Sequence, residues 1–152
     1  MKLRFALVIS LLSMMPLQTG VSQDLATVVV NHEAIMEGKI SSEGLSIREL
    51  IDIFTRKKTY WEDRTEIVVV TQKTSSIPNQ QFLVEVLGLT PYQYRSRLQR
   101  NIYQGRATPP IEVSTEEEMF EKILENKQAI GYLYNYILLR NNERLVIINV
   151  TN

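Results

Sequence analysis

The feature that most restricts how this chain folds is an alternation of short β-branched runs with amphipathic segments that carry their own helix caps. Leu25-Ala26-Thr27-Val28-Val29-Val30 and Glu66-Ile67-Val68-Val69-Val70-Thr71 are short and almost wholly apolar in their centres, so they read as buried strands. Between them Ser46-Ile47-Arg48-Glu49 forms a capping box. The Ser46 hydroxyl can accept from the third backbone N–H of a helix, and Glu49 can reach back to the cap. The helix it opens lines up Ile47, Leu50, Ile51 and Phe54 on one face.

The alternation continues. Thr74-Ser75-Ser76-Ile77-Pro78 reads as a loop running into a helix, because serine caps well and proline is tolerated in a first turn. That helix carries Phe82, Leu83, Val86 and Leu87 inward and stops at Gly88. Thr90-Pro91 starts another, running to about Tyr103. Ser114 with Glu117 predicts a second capping box, and Glu116, Glu117 and Glu118 read as a solvated first turn favoured by the helix dipole. Met119, Phe120, Ile123 and Leu124 form that helix's inner face, and 129–133 and 145–150 close the chain as strands. Strands separated by helices predict an α/β domain whose sheet is covered by helices.

The first 22 residues are set apart from this pattern. Two cations in Met1-Lys2-Leu3-Arg4 precede the apolar run from Phe5 to Leu12, Pro16 and Gly20 break it, and Gly20-Val21-Ser22 offers small residues. That order is a secretory signal peptide, with cleavage expected between Ser22 and Gln23. A membrane span needs about 20 apolar residues and this run is shorter, so no stable membrane anchor is expected. The chain has no cysteine, which removes lipid attachment at the cleavage site and any disulfide. Residues 23–152, roughly 130 positions, are enough for one domain that buries about two-thirds of its unfolded surface. Without Lys2 and Arg4 the 17 basic residues fall to 15 against 17 acidic ones, so no general attraction to nucleic acid or an anionic membrane is expected. Release into a periplasm follows as the expectation.

Several stretches resemble the phosphate ABC transporter substrate-binding proteins, in order and spacing. Val28-Val29-Val30-Asn31, the segment from Leu45 to Phe54, and Lys57-Lys58-Thr59-Tyr60-Trp61-Glu62-Asp63 are similar to that family's strand, its helix ending in Ile-Phe-x-Gly-Lys, and its tryptophan followed by an acid. Thr74-Ser75-Ser76 stands where the family has a serine-rich phosphate loop, and Ala129-Ile130-Gly131-Tyr132 matches its late Ala-Ile-Gly-Tyr strand. The resemblance implies a single lobe of a type II periplasmic-binding-protein-like fold. It also implies phosphate or a related oxyanion as ligand, and an ABC transporter or envelope sensor protein as partner. Three positions depart from the family: Arg56 replaces the glycine before Lys57, Asn79 stands where a phosphate-pairing arginine is usual, and the serine loop lacks its glycine.

On physical grounds Lys73, Thr74, Ser75 and Ser76 are the leading ligand-binding candidates. Backbone N–H groups free at a helix start can gather round an anion, hydroxyls add donors, and Lys73 adds a point charge. The same serines would serve equally as ordinary helix caps. Gly105 permits a turn that presents Arg106, which can supply the cation missing at Asn79 or simply be a solvated residue of a connector. Trp61 reads as core, with its indole N–H bonded to the backbone. Tyr132, Tyr134 and Tyr136 share a face if the strand continues that far.

An enzyme is not indicated. His32 is the lone histidine and cysteine is absent, so a structural zinc site lacks its ligands; a Ser-His-acid set would need that same histidine, and no Gly-x-Ser-x-Gly elbow occurs. No cofactor is expected. Two functions are compatible with the residues: a periplasmic solute-binding module in transport or sensing, or a single-lobe interaction protein that no longer holds a small ligand. A homodimer closing one cleft from two copies would reconcile them. Expressed with its leader in a Gram-negative host, the protein is expected in the periplasmic fraction with Gln23 at its N-terminus. Intact mass and N-terminal sequencing check this, and a product retaining Met1 would overturn it.

Overall fold

The computed structural model describes residues 25–41, 43–105, 107–140 and 142–151. The export segment and Arg106 lie outside them. In chain order the elements are β1 (Thr27–Asn31), α1 (His32–Met36), β2 (Leu45–Ser46), α2 (Ile47–Phe54), β3 (Val68–Gln72), α3 (Ile77–Gln81), α4 (Pro91–Tyr103), β4 (Ile111–Val113), α5 (Glu116–Glu125), β5 (Ala129–Leu133), α6 (Tyr136–Arg140), β6 (Leu145–Ile147) and β7 (Val150–Thr151). A π-helical turn, Phe82–Val86, prolongs α3.

The main sheet runs β4-β3-β5-β1-β6. β3 is parallel to both β4 and β5, while β1 is antiparallel to β5 and to β6. Parallel neighbours need long crossovers, and the helical segments supply them, α3 and α4 between β3 and β4 and α5 between β4 and β5. All five residues of β5 are buried, so the central strand meets the core on both faces. The α/β class with helices on a sheet is therefore as expected.

Local chemistry explains where the elements begin. Ser46 and Glu49 form the expected capping box, and Thr90 with Gln93 forms another at α4. At α5 the cap falls one residue later than expected. Thr115, not Ser114, accepts from the Glu118 N–H, and the Glu118 carboxylate reaches back to the Ser114 N–H at 2.6 Å. Glu116 is not a solvated residue either: its carboxylate accepts from the backbone N–H groups of Tyr134 and Asn135, at 2.8 and 2.9 Å. β5 ends at Leu133 and Tyr136 opens α6, so the three tyrosines do not share one strand face.

The expected last strand divides in two. Leu145–Ile147 pairs with β1, whereas Val150 and Thr151 pair in parallel with β2 in a separate small sheet. The chain passes between the sheets at Asn149, whose carbonyl accepts from Leu45 N–H at 3.0 Å. Gly44 makes that approach possible, since a Cβ there would meet the Asn149 oxygen at 2.1 Å. Gly131 plays the same part on β5, where a Cβ would lie 2.8 Å from Ile123 Cδ1, and so α5 rests close on the strand. Trp61 is core, as expected, and its indole N–H donates to the Gln128 carbonyl at 3.0 Å.

The end of α2 explains the first departure from the family. Lys57 N–H bonds to Asp52 O and Arg56 N–H to Ile53 O, the pair of bonds that closes a Schellman motif with Arg56 in the left-handed position. Arg56 has φ 61°, a conformation glycine adopts freely and arginine does not. Its side chain offsets the strain. Only 1% exposed, the guanidinium donates to Ile67 O at 2.8 Å, Thr108 O at 2.9 Å and Thr108 Oγ1 at 3.2 Å, and pairs with Glu66 at 3.5 Å. Burial draws its pKa down while Glu66 opposes the shift. One side chain thus ties the α2 terminus to the start of β3 and to the segment entering β4.

Two predictions follow from these contacts. Arg56→Ala strands the Ile67 and Thr108 carbonyls and is expected to cost about 3 kcal/mol. Arg56→Gly loses the same bonds but relieves the left-handed strain, so it should be the more stable of the two by about 1 kcal/mol. Urea unfolding of both variants measures the difference, and an Arg56→Gly no more stable than Arg56→Ala overturns the assignment of strain.

The second concerns Lys39, a buried cation held by Asp63 and by Glu37 at 3.0 Å. The Lys39 ammonium, with Thr65, holds the Asp63 carboxyl down from 3.8 to about 2. A depressed acid contributes stability that is full above its unfolded value and lost as pH falls through its folded one. Asp63→Asn should therefore be less stable than the parent above pH ~4, and the gap should narrow toward pH ~2. Urea midpoints across that range check it, and a gap that stays constant would be the contrary result.

Candidate functional site

β3 delivers the chain to the candidate site. Its last residue, Gln72, is buried, and Lys73, Thr74, Ser75 and Ser76 follow as one tight turn into α3. The turn is closed by the Ser76 N–H donating to the Lys73 carbonyl at 2.8 Å, and Lys73 N–H still bonds to Val113 O of β4 at 3.2 Å. Ser76 is the helix cap, its hydroxyl accepting from Asn79 N–H at 3.3 Å. The four residues are therefore brought together. Among the described residues the N–H groups of Thr74, Ser75 and Ile77 have no partner.

The side chains divide in their roles. Thr74 Oγ1 donates to the Glu112 carboxylate at 3.1 Å, so an acid from β4 already stands at the turn. Lys73 is exposed. Of the six lysines in the described residues the other five all pair with carboxylates, and Lys73 alone has no acidic partner among those residues. Ser75 is exposed, and its carbonyl accepts weakly from Gln80 at 3.4 Å. Arg106, the second proposed cation, falls outside the described residues.

Asn79 is turned inward, 1% exposed. Its Oδ1 accepts from Tyr132 OH and from Thr71 Oγ1, both at 3.0 Å, and its Nδ2 has no partner. The Tyr132 oxygen in turn accepts from Gln72 N–H at 3.2 Å, and its ring stacks on Phe82 with centroids 3.9 Å apart. Burial pushes the Tyr132 phenol up to about 12, so it stays a neutral donor at any ordinary pH. Tyr134 OH donates to the Pro78 carbonyl at 3.0 Å, tying the exit of β5 to the first turn of α3.

Two features at this edge escaped the sequence. The exits of β3 and β5 diverge, one toward β4 and the other toward β6, which makes the crevice between them the topological switch point of the sheet. The amides at the β5 exit are already filled by Glu116. Spacing alone could not place that carboxylate, because its partners lie 18 and 19 residues away. Concavities of about 330 to 360 Å³ lie elsewhere, one near Lys39 and Trp61 and another between α2 and α4.

The class of fold is that of one lobe of the periplasmic-binding-protein-like receptors, as the resemblance implied. The chain is similar to an ABC-type phosphate transport receptor from Vibrio cholerae (17% identity, TM-score 0.56, 84% of this chain and 46% of that one). It is similar to a putative phosphate ABC transporter substrate-binding protein with bound phosphate from Clostridium perfringens (17%, 0.57, 84% and 45%). It is also similar to a possible phosphate binding protein from Planctomyces limnophilus (17%, 0.59, 85% and 42%). The chain spans less than half the length of these receptors. No family model matches its sequence, and no curated protein does.

Proposed function

We infer that the chain is a non-catalytic, extracytoplasmic solute-binding module that holds phosphate or a related oxyanion at the turn Lys73-Thr74-Ser75-Ser76. The observation that carries this is the set of unpartnered N–H groups of Thr74, Ser75 and Ile77 beside an unpaired Lys73, at the carboxyl end of β3 and the sheet's switch point. The receptors that share its fold are named for phosphate transport or phosphate binding, which favours the same ligand class. Arg106 would add a cation from the segment before β4. An ABC transporter or an envelope sensor is the partner this role requires.

Titration calorimetry of the mature protein with phosphate, sulfate and other oxyanions tests the reading. Phosphate should release or absorb heat at millimolar concentration. Lys73→Ala should weaken binding about tenfold, the worth of one charge-assisted hydrogen bond. Glu112→Gln should tighten it by removing a like charge beside Thr74. No heat with any oxyanion, or full affinity in both Lys73→Ala and Ser75→Ala/Ser76→Ala, ends the proposal.

The Glu112 carboxylate at the turn and the inward Asn79 favour a second reading, an envelope interaction protein without a small ligand. A homodimer would supply the missing wall. Light scattering with and without phosphate separates these, since closure by a second copy requires a dimer that phosphate stabilises.

A further inference from the structure

Helix α4 carries three arginines, Arg95, Arg97 and Arg100, and not one acid between Pro91 and Tyr103. Its inner side is fixed by buried Tyr94 and half-buried Leu98. On the opposite side Tyr92, Ser96, Gln99 and Tyr103 follow at the four- and three-residue steps of one helical stripe. Tyr92 is 80% and Tyr103 85% exposed. Beside the stripe a hollow of about 330 Å³ between α2 and α4 is lined by Asp52, Thr55, Lys57, Arg97, Arg100 and Asn101.

The arginines are not needed where they stand. Among the described residues Arg97 and Arg100 have no ion pair and no side-chain hydrogen bond. The carbonyls at the end of α2 are already used: Ile51 O by Thr55, Asp52 O by the N–H groups of Lys57 and Lys58, and Thr55 O by Asn101 Nδ2 at 2.8 Å. The one acid in the hollow, Asp52, is paired with Lys57 at 3.1 Å. The hollow therefore carries a net positive charge that no internal partner answers.

We propose that this α4 face, from Tyr92 to Tyr103 with Lys57, Arg97 and Arg100 beside it, docks an extended, acidic segment of a partner protein. The tyrosines lie eleven positions apart, about 16 Å along the helix, which matches roughly five residues of extended chain. A free phosphate would fill only a corner of the hollow and leave both tyrosines idle. An anionic membrane is less suited, because the outward stripe offers Ser96 and Gln99 where insertion needs aliphatic or large aromatic side chains. Tyrosine and arginine are instead the residues that dominate protein interfaces. This surface is separate from the turn at Lys73–Ser76 and does not depend on the oxyanion reading.

The test is fluorescence anisotropy of a dye-labelled hexaglutamate peptide against the mature protein, with the same dye on hexaglutamine as control. Hexaglutamate should bind and hexaglutamine should not, with affinity falling as salt rises. Arg97→Glu/Arg100→Glu should weaken binding tenfold or more, and Tyr92→Ala/Tyr103→Ala severalfold. Ser75→Ala/Ser76→Ala should leave it unchanged, while the arginine variant should leave any phosphate titration unchanged. All these positions except Ser76 are exposed, and circular dichroism verifies that each variant is folded. Equal binding of hexaglutamine, or full affinity in the double arginine variant, overturns the proposal. So does complete competition by millimolar inorganic phosphate, which would mark a small-anion pocket. Arginine-dependent binding to phosphatidylglycerol vesicles without binding to hexaglutamate would overturn it in favour of a membrane.

Discussion

The hydroxyl and ring of Tyr132 hold the edge that carries the candidate site in place. The residue projects from the fully buried central strand, stacks on Phe82 at 3.9 Å, and meets Gln72 N–H and Asn79 Oδ1 with its oxygen. One side chain therefore links the end of β3, the first turn of α3 and the π-helical turn behind it. Phe54 joins the same cluster 4.8 Å from Phe82, so α2 is registered against it as well. Aromatic pairs of this kind are worth about 1 kcal/mol beyond their buried area. The greater consequence is geometric. With Gln72 and Asn79 both anchored to one phenol, Lys73–Ser76 have few ways to cross the gap, and the N–H groups of Thr74 and Ser75 are left without a partner among the described residues.

Much of this was legible because it is local. The caps at Ser46 and Thr90, the stop at Gly88 and the apolar faces of α2 and α5 are set by residues within one or two turns of each other, and the structure follows them. The errors came where a distant group decided a local choice. The cap of α5 is an exception, a local ambiguity, since Thr115 with Glu118 carries the same pattern as Ser114 with Glu117. Glu116 is held by amides beyond the next strand, and strand 145–150 is divided because Val150 finds β2, a partner about a hundred residues earlier in the chain. Arg56 is the clearest case. Its place at a glycine position looks like a defect in sequence, yet the left-handed turn is kept and the long side chain becomes the fastening between three segments. The loop at Lys73–Ser76 was found by its residue types, but Glu112 beside it and the inward turn of Asn79 depend on β4 and β5 and could not be read from the loop.

In a cleft between two walls, closure strips water from an anion and strengthens every hydrogen bond to it. An open turn competes with bulk water, and each amide contributes only the modest net value of an exchanged hydrogen bond. For an oxyanion at such a turn, affinity would rest heavily on charge, with Lys73 opposed by the Glu112 carboxylate held at Thr74.

That balance is made sharper by how the rest of the charge is arranged. The chain is formally neutral, but five of its described lysines are neutralised by neighbouring carboxylates. The buried Lys39 apart, such pairs lie at the surface and add little stability. Each pair cancels charge locally, whereas Lys73 and the arginines of α4, like Arg48, Arg64, Arg140 and Arg144, carry no ion pair among the described residues. The two proposed sites differ in shape, one a compact turn and the other an extended aromatic and arginine face, so a small oxyanion and a longer acidic chain would be told apart by geometry before charge.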